Sequence, residues 1–210
     1  MKLRCLLLLV GIAAMSNLEA KKVNGKIIFE RDTVDVVFDM PTIIFSKEIN
    51  YTNIQYRIKY YDKNGVKTLV RPGQAKEYIF LTNEQEELKM VSCRNSARLG
   101  KLFSKRPYIF LRQEMAGELK VFNYHYTVRY PVPTLPGLIH IFRGFTGNRR
   151  VLQKGDNDLK RVRGISFRRD MTRYFSDCPS LSELIKNKDF VKDDLEDIVT
   201  YYNSKCKRTK

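Results

Sequence analysis

From residue 21 to about residue 158, apolar and polar side chains alternate with a period of two, the pattern of strands that bury one face. Ile54, Tyr56, Ile58 and Tyr60 alternate with Gln55, Arg57 and Lys59. Asn64 and Gly65 follow, two residues that tolerate the positive backbone angles of a tight turn, and Val66, Thr68 and Val70 then resume the alternation. This spacing predicts a hairpin. A second hairpin is predicted from residues 77–81 and 87–92, with Glu84, Glu86 and Glu87 at its tip. A third runs over residues 108–114, turns at Ala116 and Gly117 and returns over residues 119–130. Two earlier strands, at residues 26–30 and 34–39, precede Pro41. No helical crossover separates one strand from the next, so the strands are expected to run antiparallel.

Pro131, Pro133 and Pro136 interrupt the alternation, and Gly137, Gly144 and Gly147 follow. Residues 131–150 are therefore expected to form a Pro/Gly-rich loop, either a binding loop or a cover for one end of the sheet. It carries an apolar patch of Leu138, Ile139, Ile141 and Phe142. Beyond residue 160 the period changes to 3.6. Ser166 is placed to cap a helix bearing Phe167, Met171, Tyr174 and Phe175. Ser180 with Glu183 reads as a capping box before Leu181, Leu184 and Ile185. A last helix carries Leu195, Ile198, Val199 and Tyr202 on one face. The expected fold is α+β: an antiparallel, hairpin-rich sheet over residues 21–160, a sandwich or partly closed barrel, with helices of residues 161–210 packed on it.

The first twenty residues differ from the rest. Lys2 and Arg4 precede an apolar run from Leu6 to Met15 and a short polar stretch ending in Ala20, the three-part pattern of a cleavable secretory signal. The run is too short to span a bilayer, and no later segment is apolar enough to do so. An exported chain is expected, in a periplasmic, outer-membrane-associated or secreted location.

Composition adds a partner class. The chain has 39 Lys and Arg against 23 Asp and Glu, a formal charge of +16, and remains strongly cationic without its first twenty residues. Such a surface favours anionic partners: phospholipid or lipopolysaccharide, acidic glycans, acidic proteins or nucleic acid. Export makes nucleic acid the least available of these. The charge concentrates in residues 143–173, where ten Arg and Lys face three Asp. Arg161, Arg163, Arg168 and Arg169 are the candidate basic surface, and the acidic helices that follow are the alternative destination for those charges.

Candidate chemistry is sparse. Cys178 and Cys206 flank the helical hairpin and are expected to form a disulfide, which an oxidising compartment permits. Cys5 leaves with the signal, and Cys93 reads as a small buried hydrophobe. With only His125 and His140, and no paired metal-ligand spacing, neither a metal site nor a cofactor is expected. A Cys93–His125 dyad requires the two side chains to meet. Phe122, Tyr124, Tyr126, Val128 and Tyr130 share one face of a strand, as core or as a stacking surface. Asp32-Thr33-Val34 and Asn50-Tyr51-Thr52 have the form of short glycan-acceptor motifs.

The stretches YYDKNGVKTLVRPGQAKEYIF, EELKMVS, IFLRQEMAGELKVFNYHYT and VLQKGDNDLKRVRGISFRRDMTRYFSDCPSLSELI, leading into LEDIVTYYNSKC, resemble a group of small exported proteins of Bacteroidota. The resemblance implies compartment and fold, and carries no activity or site residue with it. The expected function is a non-enzymatic binding or accessory protein of the cell envelope. The alternatives are a small envelope hydrolase acting on glycan or peptide, and a subunit of a larger envelope assembly.

Overall fold

The computed structural model describes residues 20–43, 48–82, 84–99, 106–131 and 142–206. The signal segment and residues 132–141 of the Pro-rich stretch, with His140 and with Leu138, Ile139 and Ile141 of the apolar patch, lie outside the described residues. The three predicted hairpins form as expected: β3 (Ile58–Tyr61) with β4 (Lys67–Val70), β5 (Glu77–Leu81) with β6 (Glu87–Arg94), and β7 (Tyr108–Met115) with β8 (Leu119–Pro131). In the first, Asp62 Oδ1 accepts from Asn64 N and Val66 N, and Gly65 takes the positive φ of 76°. The two earlier strands are β1 (Lys21–Ile28) and β2 (Thr33–Met40).

All of these belong to one open antiparallel sheet of ten strands, in the order β10-β9-β8-β7-β6-β5-β1-β2-β3-β4. It is a single sheet and not a sandwich. The predicted loop over 131–150 needs correction, because its second half is strand. β9 (Phe142–Lys154) pairs with β8 over thirteen residues, and β10 (Lys160–Arg161) closes the order. Glycine is tolerated within β9 because an aromatic ring takes its place. Gly147 lies opposite Tyr126, and a Cβ there would stand 2.8 Å from the tyrosine hydroxyl.

A second correction concerns residues 54–57, predicted as the start of a strand. Asn50 accepts from Asn53 N at 3.2 Å and starts the helical turn α1 (Tyr51–Ile54), so β3 begins only at Ile58. The turn reaches across the sheet to β7 and β8. Gln55, fully buried, inserts where these strands part: Phe110 N donates to its carbonyl at 2.9 Å. Its side-chain amide donates to His125 O at 2.8 Å and accepts from His125 N at 2.7 Å.

Three helices follow the sheet: α2 (Phe167–Tyr174), α3 (Pro179–Asn187) and α4 (Leu195–Lys205). Ser166 takes the N-cap position of α2 without a side-chain capping bond, and the predicted capping box at Ser180 is not used. The Ser166 hydroxyl donates to Asp170, and α3 starts two residues early at Pro179, whose missing N–H costs nothing at a first turn. Asn203 of α4 repeats the device of Gln55, accepting from Leu119 N at 2.8 Å and donating to Leu119 O at 3.0 Å. Gly117, at φ 142°, makes room for it; a Cβ would come within 2.4 Å of the Asn203 amide. Lys154 of β9 donates to Tyr174 O and to Asp177, which also accepts from the Tyr202 hydroxyl at 2.6 Å. The disulfide Cys178–Cys206 ties the start of α3 to the end of α4 and closes a loop with a sequence separation of 28. Such a loop stabilises by about 3.6 kcal/mol through the unfolded chain.

The buried side chains form three clusters. One face of the sheet carries Phe38, Tyr78, Phe80 and Phe110 under α1, and, at the start of β8 and the end of β9, Leu119, Val121 and Leu152 under the helices. The opposite face carries Cys93, Ile109, Leu111, Phe122 and Val151.

Gln55→Leu should cost about 2–4 kcal/mol, because it strands buried backbone groups on β8; denaturant unfolding measures it. Burial, then the Arg112 charge, lowers the His125 pKa to about 4. The unfolded histidine, near 6.5, therefore binds its proton first. Stability should be full above about pH 6.5 and fall as pH drops towards 4. The same titration of His125→Gln should show less loss over that window.

Candidate anion-binding face

On the outer face of β8 the side chains grade from core to surface. Phe122 and Tyr124 are buried, Tyr126 is half-buried and Val128 is exposed. The aromatic stripe seen in the sequence is thus core at one end and surface at the other. Tyr124 and Tyr126 stack at 6.4 Å, Phe145 of β9 meets Tyr126 edge-on at 6.4 Å, and the Tyr56 hydroxyl lies 3.1 Å from that of Tyr124.

Arginines frame this patch. In β9, Arg149 faces Tyr124 across the ladder, and its guanidinium sits 4.4 Å from the Tyr126 ring centroid. In β10, Arg161 is opposite Val151, which puts it on the same face by the two-residue period, with Arg163 just beyond. Arg106 covers the Tyr56 ring at 4.6 Å. Burial lowers the Arg161 pKa first, and the positive charges of Arg149 and Arg163 lower it further. Among the described residues no carboxylate forms an ion pair with Arg106, Arg149, Arg161 or Arg163. Two other basic residues of β9 are neutralised: Arg150 by Glu114 and Glu196, Lys154 by Asp177.

The four arginines named from the sequence therefore divide. Arg161 and Arg163 join the patch. Arg168 and Arg169 lie in α2, whose Phe167 and Met171 pack in the helical core on the other side of the sheet, and Arg169 pairs with Asp170 at 3.5 Å. Arg149 and Arg106 were missed. Arg149 was hidden by the loop reading; alternation of Phe145, Gly147, Arg149 and Val151 was the available signal. Nothing local to Arg106 marked it.

The remaining candidates resolve by face. Cys93 is buried in the outer core, where burial pushes its thiol up to about 12, whereas His125 lies on the opposite face, stacked on Tyr51 at 4.7 Å. The two do not form a dyad. Among the described residues no group of three His, Cys, Asp or Glu is placed to hold a metal, and no helix is long and apolar enough to cross a membrane. Asn50 caps α1, and Asp32 accepts from Thr33 N at the start of β2. No family, curated protein or solved structure matches this chain.

Like charges held together oppose folding weakly, so Arg161→Gln should leave the unfolding free energy unchanged or raise it by about 0.5 kcal/mol. Added salt, which screens the repulsion, should raise the wild-type Tm more than that of the variant. Thermal melts across a salt series measure both.

Proposed function

We propose that the chain is an exported, cell-envelope protein that binds an anionic partner, and that the arginine–tyrosine face of β8, β9 and β10 is the surface that takes it. The observation that carries this reading is the grouping of Arg149, Arg161 and Arg163 with no ion pair to a carboxylate among the described residues, whereas Arg150 and Lys154, on the same strand as Arg149, are each paired. Arg149, held 4.4 Å from the Tyr126 ring centroid, can meet a phosphate or carboxylate through the bidentate N–H fork of its guanidinium. A bound anion also removes the repulsion among the three cations. The N-terminal signal pattern, the disulfide and the resemblance to small exported proteins support the compartment. An envelope displays the matching partners: anionic lipid headgroups, lipopolysaccharide and acidic glycans.

The test is binding of the purified protein to envelope fractions and to vesicles with and without anionic lipid, at low and high salt. Joint replacement of Arg149, Arg161 and Arg163 by Gln should weaken binding by about tenfold or more, while joint replacement of Arg168 and Arg169 should change it little. Binding indifferent to salt and to the first set would overturn the reading.

A further inference from the structure

The inner face of the sheet holds a cleft of about 400 Å³ between the core under α1 and the helical layer, lined among others by Glu87, Arg112, Glu114, Arg150 and Glu196. Its size falls within the range of small-molecule sites. Register places it on the face opposite the arginine–tyrosine patch: Arg112 pairs with Asn123, and Asn123 with Arg150, whereas Tyr124 and Arg149 point the other way.

The cleft is electrically a dipole. Towards α1, the Arg112 guanidinium lies 5.6 Å from the Tyr51 ring and makes no ion pair among the described residues. Towards the helices, Glu114 and Glu196 share one cation, Arg150, at 3.5 and 2.7 Å, and Glu87 adds a further carboxylate at the rim. One end thus has a surplus positive charge and the other a surplus negative charge.

Arg112, which lines the cleft, has its Nε buried and without a hydrogen-bond partner, and an unmade bond in a buried setting is costly. An occupant that accepts from this guanidinium relieves that cost. A simple anion would meet Arg112 but also the surplus carboxylates, and a simple cation would meet the reverse.

We infer that this cleft is a binding site for a small zwitterion, an amino acid or dipeptide whose carboxylate sits on Arg112 and whose ammonium faces Glu114, Glu196 and Glu87. Arginine matches a carboxylate in a two-bond fork, and the separated carboxylates select a compact cation. This site is independent of the anionic partner proposed for the outer face, and the two can fail separately.

The experiment is calorimetric titration of the full chain with free amino acids and dipeptides, each compared with its decarboxylated amine and its N-acetylated acid. Binding of zwitterions but of neither control is expected, with NMR shifts centred on β7 and β8. Arg112→Gln should weaken that binding by about tenfold or more, and Glu114→Gln should shift preference towards the N-acetylated acids. The wild-type comparison decides the matter even where a variant does not fold. Equal binding of the controls, or no binding by any zwitterion in the set, would overturn the inference.

Discussion

Strand β8 is held on one edge by two side-chain amides, and the arrangement of the whole molecule follows from that. The backbone groups of Leu119, Val121, Asn123 and His125 point to the same side of the strand by the two-residue period. β7 pairs with the middle of this stretch and then leaves. Gln55 satisfies His125 at one end and Asn203 satisfies Leu119 at the other, each making two hydrogen bonds in the manner of a missing strand. A buried strand edge without such partners would be expensive. Because the amides come from α1 and α4, meeting that requirement also docks the β2–β3 connection and the last helix onto the same sheet.

The two clamps divide the inner face. The aromatic core of Phe38, Tyr78, Phe80 and Phe110 packs beneath the first, and the helical core with its disulfide packs beneath the second. Between them the sheet is left with polar side chains, and these make the cleft. Charge is treated differently on either side of β9. Lys154 lies among the rings of Tyr174, Phe175 and Tyr202 and is compensated by Asp177. Burial raises the Asp177 carboxyl, but the hydrogen bonds from Lys154 and Tyr202 outweigh it and hold the group below its ordinary value. That ion pair serves the fold. On the outer face Arg149, Arg161 and Arg163 stand close together with no such compensation, an arrangement that contributes nothing to stability and suits an anion arriving from outside.

Much of this was legible along the chain. Alternation with Asn64-Gly65 or Ala116-Gly117 between the runs marks hairpins because side-chain period and turn geometry are local properties. The disulfide was legible too, since two antiparallel helices return the chain near its starting point. β9 was not, because prolines and glycines signal a break unless the opposing strand is known; Tyr126 fills the space at Gly147, and that partner is twenty-one residues away in sequence. The helical turn at Tyr51 was hidden for a related reason: Ile54 and Tyr56 alternate as a strand would, and only the demand of β8 for Gln55 settles their conformation.

The sequence by itself therefore determined the strand-rich body, the helical tail and the cationic character, which follow from neighbours a few residues apart or from composition, and pointed to the cysteine pairing through the helical hairpin between the two residues. Only the tertiary structure decided which charges remain uncompensated. Arg161 and Arg168 are seven residues apart and equally basic, yet one emerges on the outer face beside Arg149 and the other on a helix over the inner face. The register between β8, β9 and β10 chooses the face of each arginine, and pairings between distant strands set that register.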